Sequence, residues 1–363
     1  MIKIRLFFTI FIIFHAQFYA SEKQPTTIYC HGLGGSQYEF HGLMQAKVIH
    51  EPANGVQFKN ERDSCLGHGK NIETLNDKIN PTNEHIFYGI SCGGVGIVSW
   101  LAKHNSHSAK AVILDATPSD MVNLVEEAQY KIGLWALWTR AHKEWALHRL
   151  FPEYPQQSMP PVQAIAKIKN KNIAVFIVHS QNDPVVDIRA ALENYKAFLQ
   201  ADFKNAYICL LEHGGHMNNA FGQDSLIFKQ ALNSFYKKYS LKYHEEYAIL
   251  TDEELQQFQP SIEEIDEMLL QNLSKLRKQG LFNLGIYAAI EHLLATQPQN
   301  ESCNVLNAPY KAASTHSVTT EHYQIVQDFI KKKHPEYKKS YVSPQKTSSL
   351  RNAILNTKFS FEK

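Results

Sequence analysis

The sequence predicts an α/β fold, a mostly parallel sheet with helices on both faces. Short β-rich runs recur at Thr26–Cys30, Val56–Phe58, His85–Tyr88, Ala111–Leu114, Ile173–Val178 and Tyr207–Leu211. Helical patterns such as Gly94–Lys103 and Ile188–Leu199 lie between them, and strands that alternate with helices make parallel sheets. Runs such as Ala174-Val175-Phe176-Ile177-Val178 are apolar without a break, as strands covered on both faces must be. With 44% hydrophobic and 20% charged residues among 363, the chain has enough apolar surface for a large core. The formal net charge of +2 gives no sign of a nucleic-acid partner, because that function needs clustered basic residues on one face, not a near balance.

Taken in order, residues 1–20 form their own segment. Lys3 and Arg5 precede the apolar run Leu6–Phe14, and Ala16-Gln17-Phe18-Tyr19-Ala20 leads to the polar Ser21-Glu22-Lys23. This is the layout of a signal peptide cleaved after Ala20, and it implies export to the periplasm or outside. Phe18 stands where a small residue is preferred, so an uncleaved membrane anchor is the competing reading. The five cysteines, Cys30, Cys65, Cys92, Cys209 and Cys303, are odd in number and contain no C-x-x-C pair. The expectation is neither a disulfide framework nor a metal site, with most cysteines acting as small apolar fillers in strands.

Residues 119–165 interrupt the rhythm. Trp135, Trp138 and Trp145 cluster there, and Pro152, Pro155, Pro160 and Pro161 close the stretch. A cap-like helical insertion over the carboxyl edge of the sheet and an ordinary long crossover with a loop both fit. From about residue 245 the strands stop, so 21–244 is read as the catalytic domain and 245–333 as a helical C-terminal extension. Ser261-Ile262-Glu263-Glu264 is a capping box opening a helix with Ile262, Ile265, Leu269, Leu273 and Leu276 on one stripe, and Gly280 suits its end. A second helix is expected over 281–295, loop over 297–317 and a short helix to Lys333. Residues 334–363 are basic and read as a flexible tail. The C-terminal helices are a candidate contact for a partner.

The chemistry concentrates at the carboxyl ends of the predicted strands. Gly89-Ile90-Ser91-Cys92-Gly93 matches G-x-S-x-G and stands between a strand and a helix, the setting of a nucleophile elbow. Glycines at 89 and 93 let strand and helix approach closely, and the helix N-terminus favours a developing negative charge at Ser91. His31-Gly32-Leu33-Gly34-Gly35 follows the first strand. Its backbone N–H groups could face a ligand oxygen, so Leu33 and Cys92 are the candidate oxyanion-hole donors. No Gly-Lys-Ser/Thr ending or G-x-G-x-x-G spacing supports a nucleotide loop instead. His31 reads as structural.

A serine nucleophile needs a base, and the base an orienting acid. Asp183 emerges after the strand ending at Val178, with Asp187 and Asp115 as rivals. His216 follows the last strand after two glycines, with His213 as rival. The order Ser, Asp, His suits this architecture.

These motifs resemble the α/β-hydrolase superfamily over Thr26–Tyr239. His-Gly-x-Gly is similar to its oxyanion loop, Gly-Ile-Ser-Cys-Gly to its elbow, Asn182-Asp183-Pro184-Val185-Val186 to its acid loop and Gly215-His216 to its base loop. Arg62–Gly69 loosely resembles its Asp-x-Arg-Gly-His-Gly segment. The resemblance implies the α/β-hydrolase fold, a Ser91, Asp183, His216 triad, no cofactor, and a small-molecule or lipid ester as substrate. Two departures stand out: only about five residues separate Ser21 from the first strand, where the family has an opening hairpin, and the C-terminal helices have no counterpart. A carboxylesterase or lipase-like activity is the first reading. Thioesterase, peptidase and a non-catalytic binder on the same scaffold are the alternatives.

Overall fold

The computed structural model of the chain describes residues 24–59, 64–104, 108–124, 140–155 and 158–272. The leader, Cys303, Trp135, Trp138, the helices expected beyond 272 and the basic tail lie outside the described residues. Two compact units divide the chain, Met1–Met121 with His148–Asp266, and Val122–Leu147 with Glu267–Lys363. The sheet and every candidate site residue belong to the first. Within the described residues no helix is long and apolar enough to cross a membrane.

Six strands form one sheet: β1 (Thr26–Cys30), β2 (Ala53–Val56), β3 (His85–Ile90), β4 (Ala109–Asp115), β5 (Ala174–Ser180) and β6 (Ala206–Leu211). Their order is β2-β1-β3-β4-β5-β6, and every neighbouring pair is parallel. β3 and β5 are buried at every position, as their unbroken apolar runs require. The chain steps outward from β1 to β2 and then returns past β1 to β3. The strand order therefore reverses between β1 and β3, and the carboxyl ends on either side of such a switch point form a natural crevice.

The helices are α1 (Phe40–Gln45), α2 (Lys70–Lys78), α3 (Cys92–Lys103), α4 (Arg140–Leu150), α5 (Pro161–Lys167), α6 (Ile188–Gln200), α7 (Ser225–Lys238) and α8 (Asp252–Gln256). The first core layer joins Tyr88, Ile113, Phe176 and Tyr207 of the strands to Phe228, Leu232 and Phe235 of α7. α5 closes the stretch expected as an insertion, yet it packs between α3 and α6 and buries Ala164 and Ile165. The end of that stretch is thus a layer of the core, while exposed Trp145 lies on α4.

Three boundaries differ from expectation. β2 ends at Val56, where Val56–Phe58 was expected, because Phe58 turns away to donate its N–H to His31 Nε2 at 2.9 Å. α3 begins at Cys92, two residues before the expected Gly94, because the elbow turns within Ser91 alone. The first unit also runs past residue 244. Leu255 and Ile265 are fully buried, Phe258 O accepts from Ile208 N of β6 at 2.7 Å, and Pro260 O accepts from Tyr195 OH at 3.2 Å. A capping box closes α8 through Thr251 and Glu254. The one at Ser261 is also formed, with Ser261 N donating to Glu264 Oε2 at 2.7 Å and Glu264 N to Ser261 Oγ at 3.3 Å.

Candidate active site

Ser91 sits in the one-residue turn between β3 and α3, with φ 50° and ψ −124°. A non-glycine residue at positive φ is costly and persists only where its surroundings enforce it. Here the enforcement is visible. Ser91 N donates to Asp115 O of β4 at 2.8 Å, and Gly94 N donates back to Ser91 O at 3.0 Å. A Cβ at Gly93 would stand 2.1 Å from Cys30 O, and one at Gly89 2.6 Å from Gly94 Cα, so both elbow glycines are required by close approach of strand and helix.

The loop after β1 lies directly across from Ser91. A Cβ on Gly32 would be 3.1 Å from Ser91 Cβ and 3.1 Å from Met217 Sδ. The loop after β1, Ser91 and the neighbour of His216 thus meet at one point. His31 is fully buried and plays the structural part expected of it. Its Nδ1 lies 2.6 Å from Gly32 O and its Nε2 accepts from Phe58 N. Leu33 and Cys92 are drawn together as well. The Cys92 thiol is fully buried beside the N–H groups of Leu33 and of its own residue, and burial pushes it up to about 12, so it stays a neutral filler.

Asp183 and His216 are paired. His216 Nδ1 lies 2.8 Å from Asp183 Oδ2, and since an ionised carboxylate can only accept, Nδ1 is the donor of this bond. Asp183 Oδ1 accepts from Val185 N at 2.8 Å and Val186 N at 3.0 Å. Burial pushes the Asp183 carboxyl up, but the hydrogen bond and charge of His216, the charge of His179 and the Val186 N–H outweigh it. The net result lies below the usual carboxylate range. His179, fully buried at the end of β5, backs this arrangement with Nε2 2.9 Å from Val186 O and 3.6 Å from Asp183 Oδ2.

The rivals are placed elsewhere. Asp187 is the N-cap of α6, its Oδ1 accepting from Arg189 N at 2.9 Å, an ordinary capping duty. His213 is half exposed, with its backbone N–H tied to Asp224 Oδ2 at 2.8 Å and its ring 3.8 Å from Glu212. Asp115 is buried at the end of β4 and accepts from Asn219 Nδ2 at 2.6 Å and Tyr88 OH at 3.0 Å. Burial pushes it up to about 6 against those two hydrogen bonds.

Hydrogen bonds between the two loops hold the site together. Asn182 Oδ1 accepts from Gly215 N at 2.8 Å and Gly214 N at 3.2 Å, and Ser180 Oγ accepts from Gly214 N at 2.7 Å. The acid loop thereby grips the base loop at the two glycines. Gly215 has φ 72°, and a Cβ at Gly214 would strike Asn219 Oδ1 at 2.2 Å, so the turn that delivers His216 needs both. Among the described residues no cluster of three or more His, Cys, Asp or Glu could hold a metal ion.

No protein-family model matches the chain, and no curated protein matches its sequence. Among solved structures it is similar to an esterase of Pyrococcus furiosus, at 14% identity and TM-score 0.40 over 60% of this chain and 84% of that one. It is also similar to Est1E of Butyrivibrio proteoclasticus, at 16% identity and TM-score 0.40 over 61% of this chain and 91% of that one. An acylaminoacyl peptidase of Pyrococcus horikoshii matches at 18% identity and TM-score 0.42, over 68% of this chain and 40% of that one. The chain's own geometry, a parallel sheet that reverses order between β1 and β3 with Ser91 after β3, Asp183 after β5 and His216 after β6, is the arrangement that the α/β-hydrolase resemblance implies.

Proposed function

We propose that the chain is a serine hydrolase that cleaves carboxylic esters through an acyl-enzyme, with Ser91 as nucleophile, His216 as base and Asp183 as its orienting acid. The observation that carries the reading is the 2.8 Å bond between His216 Nδ1 and Asp183, delivered by the base loop to the side of Gly32 on which Ser91 lies. His216 Nε2 takes the proton as Ser91 Oγ attacks the ester carbonyl, then gives it to the departing alkoxide. Water repeats the attack on the acyl-enzyme and regenerates Ser91 and a carboxylic acid. Asp183 keeps its negative charge, fixes the tautomer and stabilises the imidazolium. The N–H groups of Leu33 and Cys92, the latter at the N-terminus of α3, face the tetrahedral oxyanion, where fixed dipoles are worth most. No cofactor enters the scheme.

A panel of p-nitrophenyl esters of increasing acyl length tests it. Hydrolysis with a preferred acyl length, abolished by Ser91→Ala, is the expected result; wild-type protein inert toward every ester and toward a fluorophosphonate would refute it. Export belongs to the same proposal, supported by Lys3, Arg5, the apolar run and Ala20. It predicts a mature N-terminus at Ser21 outside the cytoplasm, and full-length protein in the soluble cytoplasm would contradict it.

A further inference from the structure

Asp115 has no part in the mechanism above, yet it is almost completely buried within the site's framework, and its connections are unusual. Its backbone carbonyl accepts from Ser91 N at 2.8 Å, so it holds the strained elbow. Its carboxylate Oδ1 accepts from Asn219 Nδ2 at 2.6 Å, so it holds the base loop three residues beyond His216. Its Oδ2 accepts from Tyr88 OH at 3.0 Å, on the strand that feeds the elbow. Asn219 is itself fully buried, and the loop around it is a tight turn in which Phe221 N and Gly222 N both donate to Asn218 O, at 3.0 and 2.7 Å. The far end of the base loop is therefore pinned to β4, just as its near end is pinned to the acid loop through Asn182 and Ser180. His216 lies between the two anchors.

We propose that the Asp115–Asn219 pair is the positioning element that sets where His216 stands relative to Ser91, one residue thus fixing nucleophile and base through its backbone and its side chain. The inference rests on the hydrolase reading. A carboxylate suits the task because both of its oxygens accept, one from β3 and one from the base loop, and a charge-assisted bond is shorter and stronger than a neutral one. Closing both ends of a loop over a general base limits the positions the imidazole visits, and a misplacement of about 1 Å can cost on the order of 100-fold in rate. Substrate binding by the oxyanion loop and the crevice walls does not run through this pair, so the rate constant and not the Michaelis constant carries the effect.

The test uses the full-length enzyme and the variants Asn219→Ala, Asp115→Ala, Asp115→Asn and the double variant Asn219→Ala with Asp115→Ala. His216→Ala runs in parallel, with kcat and KM on one p-nitrophenyl ester and the rate of fluorophosphonate labelling as readouts. Expected are roughly tenfold or greater losses of kcat and labelling rate in each alanine variant with KM within about twofold. The double variant should be no worse than the poorer single, since coupled residues are not additive. Asp115→Asn should recover most of the rate, because its side-chain carbonyl still accepts from Asn219. Full kcat in Asn219→Ala overturns the proposal, as does a loss confined to KM or an additive double variant. Asn219 lies outside the sheet, and a rate loss matched by an equal loss of folded protein in circular dichroism counts against the proposal too. An active His216→Ala enzyme removes the hydrolase reading itself; an inactive one beside a fully active Asn219→Ala enzyme removes the positioning role alone.

Discussion

Asp183 and Asp115 stand at the carboxyl ends of neighbouring strands, β5 and β4, with 8% and 1% of their surfaces exposed. Burial raises both carboxyls. Asp183 nevertheless ends below the usual range, whereas Asp115 reaches about 6. The difference lies in the partners. Asp183 faces two backbone N–H groups and an imidazole that can become a cation, while Asp115 faces a tyrosine hydroxyl and an amide, which offer dipoles but no charge. The environment, not the residue type, thus sets the two carboxylates apart, one bound to an imidazole and one to a neutral amide.

The largest expected break of this comparison is kinetic. Asp183→Asn should lower kcat by about 10⁴, the loss seen when a triad acid no longer holds the histidine tautomer, and Asp115→Asn only a few-fold. The two values measured on one ester decide between them, and a reversed order would exchange the two roles. The same contrast extends to the bases: His216→Ala should remove nearly all turnover, and exposed His213→Ala should change kcat by less than about threefold.

Stability sharpens the comparison in the opposite direction. The folded state holds the Asp115 carboxyl at about 6 against an ordinary value of 3.8. Native protein therefore binds this proton more tightly than unfolded chain, and the associated stability is present below pH 3.8 and lost as pH rises through 6. Asp115→Asn imitates the neutral form, so at pH 8 it should melt higher than wild type, by about 1–3 kcal/mol at most, while turning over more slowly. An unchanged or lower melting point at pH 8 would show that the buried charge is not costly. Asp183→Asn should not stabilise, since its ionised form is the one the fold favours.

A smaller effect comes from two buried histidines. Burial pushes His50 and His68 down to about 4 from an ordinary 6.5. Above pH 6.5 both states are neutral; between 6.5 and 4 the unfolded chain takes up protons that the folded chain refuses, so stability falls across that window. His68→Gln should flatten this part of the melting-temperature profile, and an unaltered slope would contradict the assignment. Asp115 acts with opposite sign between 3.8 and 6, so the Asp115→Asn background should make the histidine slope steeper.

Much of this was legible in the residues alone. Unbroken apolar runs located the strands because burial on both faces leaves no other composition possible, and glycines at 89 and 93 located the elbow because backbone packing there excludes any Cβ. The pairing of Asp183 with His216 rather than His213 was readable from the two preceding glycines. The bracing residues were not. Tyr88 and Asn219 are single polar residues whose shared partner Asp115 lies 27 and 104 positions away, and no periodicity or spacing marks such a partner. Likewise, Phe258 and Pro260 fall in a helix-rich region by composition, but their carbonyls serve the last strand and α6.

Peptide mass spectrometry after treatment with a fluorophosphonate decides whether Ser91 is a nucleophile activated by His216 and Asp183. The expected result is one adduct per chain on Ser91, absent in Ser91→Ala and formed at least about 10³-fold more slowly in His216→Ala. An adduct on another residue, or labelling of Ser91 at the wild-type rate without His216, would contradict the account.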